Sequence, residues 1–81
     1  MPTVLTQGPY RFFFVSVDYP EPPHVHIRRE GMVAKFWLSP VVLQKAGGFN
    51  RTELYRIAML VQENREYLLE RWNEFFGRRN A

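Results

Sequence analysis

Residues Glu21–Leu38 read EPPHVHIRREGMVAKFWL, and the pairing of this stretch with itself decides the architecture. Glu30-Gly31 sits between two runs rich in β-branched and aromatic residues, which is the signature of a tight hairpin. Glycine at the tip supplies a positive φ at little cost. With those two residues central to the turn, Arg29 faces Met32, Ile27 faces Ala34, His26 faces Lys35, Val25 faces Phe36 and His24 faces Trp37. Side chains alternate between sheet faces along a strand. Val25, Ile27, Ala34, Phe36 and Leu38 therefore share an apolar face. His24, His26, Arg28, Lys35 and Trp37 share the other. A slip of one residue would mix the two sets, so the pattern itself selects the register.

Upstream, Tyr10–Val17 (YRFFFVSV) is a further strand, apolar on both sides. Gln7-Gly8-Pro9 predicts a turn, and Met1–Thr6 a short edge strand before it. The proline-rich run Asp18–Pro23 is a stiff, extended loop. Downstream, Val41–Ala46 (VVLQKA) fits a last short strand or a helical turn. Asn50 is an N-cap, Glu53 stands at the capping-box position, and Phe49 with Leu54 fits a hydrophobic staple. Leu54, Ile57, Val61, Leu68, Trp72 and Phe75 then draw one apolar helical stripe, which Gly77 ends.

The sequence thus predicts an α+β fold in the order β-β-β-β-α. A small antiparallel β-sheet of three to four strands, hairpin-rich, carries one long C-terminal α-helix on one face. A single domain covers residues 1–81, with the sheet at 3–38, a connector at 39–49 and the helix at 50–76. At ~1.5 Å per residue that helix runs about 39 Å, against ~23 Å for a strand of the sheet. The excess predicts an overhang in which Trp72, Phe75 and Phe76 need cover from a second copy or a partner. Tyr10, Phe12, Phe14, Trp72 and Phe76 are the candidate interface residues.

Composition agrees with one small folded unit. Of the 81 residues, 46% are hydrophobic and 23% charged, which is globular rather than disordered. A core this small is often supplemented by a partner. With no cysteine in the chain, disulfide scaffolds and thiolate metal sites are excluded. Neither a signal peptide nor a membrane span is expected, and the expected location is the cytoplasm. The net charge of +3 suits nucleic acid or an acidic partner without selecting between them.

The only two histidines, His24 and His26, project from one strand face about 6.5–7 Å apart. Such a pair can hold a metal. Only Glu21 and Asp18 lie close enough in sequence to complete a ligand set, and Lys35 opposite His26 brings a cation. We therefore expect no metal and no cofactor. As acid–base chemistry, the face resembles that of metal-independent endoribonuclease toxins. In that reading His24, His26 and Lys35 are catalytic and Glu21, Arg28 and Trp37 bind substrate. His26 takes a ribose proton, Lys35 and Arg28 stabilise the phosphate in flight, Trp37 stacks a base, and His24 protonates the leaving oxygen. The same residues are also explained by packing or plain binding, and sequence alone does not separate the readings.

RFFF near the start, EPPHVHI, AKFWL, and a GF-led capped helix ending in Trp72-x-x-Phe75-Phe76 together resemble a family of small bacterial proteins. This is domain-of-unknown-function family 4160, and the likeness runs from Thr3 to Phe76. The matching residues are Glu21, Pro22, Pro23, His24, His26, Ala34, Lys35, Trp37 and Trp72. The resemblance implies one half of a toxin–antitoxin-like gene pair, with a small cognate protein encoded nearby and RNA as a further partner. The expectation is a basic, toxin-like half working within a homo-oligomer or hetero-complex. The alternative is a non-catalytic interaction module.

Overall fold

The computed structural model describes residues 3–15 and 21–77. Five strands follow in order: β1 (Thr3–Gln7), β2 (Tyr10–Phe13), β3 (His24–Arg29), β4 (Met32–Leu38) and β5 (Val41–Lys45). Two helices complete the chain, α1 (Arg51–Glu63) and α2 (Arg65–Phe76). The strands form one sheet in the order β1-β2-β3-β4-β5. All four pairings are antiparallel. The α+β expectation holds, and the sheet is larger than expected because Val41–Lys45, assigned to the connector, pairs with β4. The last residues of the strand predicted over Tyr10–Val17, and the first half of the proline-rich loop, lie outside the described residues.

The β3–β4 register is the one the sequence dictates, from Arg29 opposite Met32 to His24 opposite Trp37. Val25, Ile27, Ala34, Phe36 and Leu38 are buried. The turn differs in one respect: the positive φ falls on Glu30, at 58°, and not on Gly31. A side chain in the left-handed region costs roughly 1–2 kcal/mol. Asparagine tolerates that region better and makes the favoured Asn-Gly pair. Glu30→Asn should therefore raise stability by up to about 1 kcal/mol, seen as a higher urea midpoint with unchanged slope. The contact it removes, between the Arg29 guanidinium and the Glu30 carboxylate at 3.5 Å, is solvent-exposed and contributes little.

The single long helix is corrected to two. Asn64 interrupts it with φ −105° and ψ 13°. Its side-chain amide donates to the Leu60 carbonyl (2.8 Å) and to Gln7 of β1 (2.9 Å). An asparagine that bonds back to the preceding turn while reaching another element favours a break over a continuous helix. Arg65 then anchors the start of α2, donating to the Leu38 carbonyl at 2.6 Å and the Ser39 hydroxyl at 3.1 Å. Tyr67 donates to the Val4 carbonyl at 3.1 Å. Held at these points, α2 turns Leu68, Trp72 and Phe76 inward, and Phe75 stays 36% exposed. The stripe after the break follows steps of four from Leu68, so the inward ring is Phe76 and not Phe75.

The predicted overhang is absent as an uncovered surface. Trp72 meets Phe14 edge-on with centroids 5.2 Å apart and Phe76 at 4.1 Å. Tyr10, Phe12, Phe14, Trp72 and Phe76 are all buried within the one chain and belong to the core cluster that joins sheet and helices. These five residues are core, and the interface assigned to them is corrected on that ground.

The capping box forms by half. Asn50 accepts from the Glu53 backbone N–H at 2.8 Å. The Glu53 carboxylate, expected to reach back to Asn50, is taken instead by Arg29 of β3 in a two-pronged ion pair (2.5 and 2.7 Å) and by the Tyr10 hydroxyl (2.9 Å). The Arg29 hydrogen bond holds the Glu53 carboxyl below its usual range. Burial, and then the Glu53 carboxylate, push the Tyr10 phenol up. A depressed carboxyl contributes stability that is complete above its unfolded pKa of about 4.3 and disappears as pH falls through the lower folded value. The parent should therefore lose stability on acidification below about pH 4, and Glu53→Gln should show a flatter stability profile in that window. Chemical denaturation repeated across pH reads this directly.

Candidate functional site: the outer face of the sheet

Both helices bury their apolar residues against the face carrying Phe12, Val25, Ile27 and Phe36. The opposite, outer face follows from the register. Phe13 faces His26 and Arg11 faces Arg28. His24 faces Trp37 and His26 faces Lys35. Trp37 faces Val42 and Lys35 faces Lys45, across a β-bulge that offsets β5. The outer face therefore brings together His26, Arg28, Lys35 and Trp37 as expected, and adds Arg11, Phe13, Val42 and Lys45.

These side chains form a continuous run. The Arg11 guanidinium lies over the Phe13 ring at 5.2 Å. Phe13 stacks on His26 with centroids 5.3 Å apart. His26 meets His24 edge-on at 5.3 Å, and His24 meets Trp37 at 5.5 Å. The Lys35 ammonium sits 4.9 Å from the Trp37 ring centre, a cation–π arrangement. Its other contact is the Glu21 carboxylate at 2.8 Å. Lys35 is thus balanced by Glu21, and the acid expected to bind substrate instead tethers the strand entry to β4.

The two imidazoles differ. His24 is fully buried. The Trp72 ring of α2 lies 5.0 Å away, and His24 Nδ1 is 2.9 Å from the Pro22 carbonyl. A carbonyl only accepts, so Nδ1 carries a proton and donates. That bond and the surrounding rings make His24 a packing and orienting residue at the start of β3. His26 is half-buried and Trp37 likewise, whereas Arg11, Arg28 and Lys45 are exposed. Arg28 Nε donates to the Glu30 carbonyl at 2.9 Å.

The arrangement presents cations and ring surfaces together, which is the chemistry of phosphate and base contact. It holds two cross-strand cation pairs. Arg11 is directly opposite Arg28 and Lys35 directly opposite Lys45. Like charges facing each other across a ladder destabilise it; Glu21 offsets this at Lys35, so the Arg11–Arg28 pair is the one that stands out. Among the described residues no group of three or more His, Cys, Asp or Glu could hold a metal ion.

Sequence reasoning missed Arg11 and Phe13, although their two-residue spacing within Tyr-Arg-Phe-Phe was a usable signal. Lys45 was not legible, since its place opposite Lys35 depends on the bulge at Gln44.

A family model described as a domain of unknown function, DUF4160, matches residues 10–73. The chain belongs to the DUF4160 family. The matched span holds all the outer-face residues named above, from Arg11 of β2 to Lys45 of β5, and also Trp72. No curated protein and no solved structure matches this DUF4160 chain. Among its described residues, no helix is long and apolar enough to cross a membrane.

Proposed function

We propose that the outer sheet face binds single-stranded RNA, with Arg11, Arg28 and Lys45 on phosphates and Trp37 stacking a base. The observation that carries this reading is Arg11 directly opposite Arg28, on a face that also carries the exposed Lys45. A surface that keeps a destabilising charge arrangement is explained by an anion that relieves it. The chain's net positive charge supports the same reading. In cellular terms this is the basic, toxin-like half of a toxin–antitoxin-type pair. His26 is the imidazole placed to touch the RNA, and His24 shapes the surface from beneath.

Fluorescence anisotropy with a labelled oligouridylate tests it. Binding should weaken with salt, at a slope of about −0.7 per phosphate contacted. Arg11→Glu is expected to gain roughly 0.2–1 kcal/mol of stability by removing the repulsion while lowering affinity. The double variant with Arg28→Glu should bind at least about ten-fold more weakly with a shallower salt slope. Equal affinity of parent and double variant would sink the proposal. RNA cut in the presence of chelator, with cutting lost in His26→Ala, would add catalysis to binding. Intact RNA leaves a binding face.

A further inference from the structure

A second surface lies apart from the outer face. On the core side of the sheet, β5 and α1 enclose a groove of about 450 Å³ lined chiefly by Phe36, Val41, Leu43, Arg51, Leu54 and Tyr55. That volume is within the range of formed ligand sites, about 300–1,000 Å³. Exposed apolar side chains line it: Leu43 is 41% exposed and Tyr55 72%. β5 closes the strand order and pairs only with β4 among the described residues. One of its edges therefore carries backbone donors and acceptors that a further strand can use. An apolar groove beside an open strand edge is the layout for strand addition, in which main-chain bonds hold a peptide and alternate side chains enter the groove.

Charge decides the occupant. The one charged side chain lining the groove is Arg51. The acid in the first turn of α1, Glu53, is committed to Arg29 and Tyr10. A second copy pairing through β5 would bring Val-Val-Leu-Gln-Lys, which holds no acid and leaves Arg51 unanswered. We propose that the β5 edge and its groove take an extended, acidic segment of another protein, with alternating apolar residues entering beside Leu43 and Tyr55 and a carboxylate meeting Arg51. This surface shares no side chain with the RNA contacts, so the two proposals stand or fall separately.

The test uses the full chain and two short labelled peptides, one alternating valine and leucine with glutamate, the other carrying lysine in place of each glutamate. The acidic peptide should bind, more weakly as salt rises, and should slow hydrogen exchange at β5 amides. Arg51→Glu with Tyr55→Ala, both on exposed positions of α1, should cut its affinity about ten-fold or more while leaving oligouridylate binding unchanged. Equal binding of the two peptides, or no binding of the acidic one, would overturn the proposal. So would a parent that scatters light as a dimer and becomes monomeric on Leu43→Arg, since a second copy would then occupy the edge.

Discussion

Gly47→Ala is expected to leave most of the chain unfolded under conditions where the parent is folded. Gly47 has φ 64°, and a Cβ built there would lie 1.7 Å from the Val33 carbonyl oxygen and 2.3 Å from its carbon. The left-handed backbone alone costs an alanine about 1–2 kcal/mol. The overlap adds far more, because the opposing atoms are β4 backbone and not a flexible side-chain tip. Val33 is paired with Arg28, and Ala34 with Ile27 in the core. Relieving the clash means moving β4 or the Gly47-Gly48 turn that leads into α1. A domain of this length has only about 4–12 kcal/mol of stability in total. Gly8→Ala is the matched control: it also has positive φ, 58°, but nothing lies within 4 Å of its added methyl. That variant should lose about 1–2 kcal/mol, so the gap between the two midpoints in urea isolates the steric part. Equal losses would mean that the turn yields and that the close approach to Val33 carries no weight.

Trp72→Ala should cost about 3–5 kcal/mol, the range for truncating a buried aromatic residue. The indole is 5% exposed and joins three surroundings at once: Phe14 after β2, His24 at the start of β3, and Phe76 one turn on. Trp72→Phe keeps a ring in the cavity and should recover a substantial share. Because the ring is buried within one chain, the loss should not depend on protein concentration. A loss that shrinks as concentration rises would place Trp72 between copies and return it to the interface first expected. The variant also removes the ring under His24, so a change in oligouridylate affinity accompanying it would show that support from beneath sets the geometry of the outer face.

The hairpin shows why part of this fold was legible. Its register follows from a period of two within eighteen consecutive residues, Glu21–Leu38, and from a turn that joins neighbouring positions. The N-cap at Asn50 is equally local, since donor and acceptor are three residues apart. The candidate site was legible to the same extent: His26, Arg28, Lys35 and Trp37 share a face because alternation says so. What those groups touch was not. Lys35 meets Glu21 from 14 positions away, and only the folded chain shows that this cation is already balanced. Glu53 satisfied a local rule and was drawn away by Arg29 and Tyr10, which lie 24 and 43 positions distant.

By itself, then, the sequence determined the antiparallel hairpin, its two faces, the helix start and the α+β class, because each is set by spacing between near neighbours. Tertiary structure alone decided the break at Asn64, the burial of His24 against Trp72, the inward turn of Phe76 and the opposed lysines of β4 and β5. Those depend on which distant segments meet when the core closes. A side chain's local pattern is silent about such meetings, since the free energy that fixes them comes from burying surfaces the chain brings together only once it has folded.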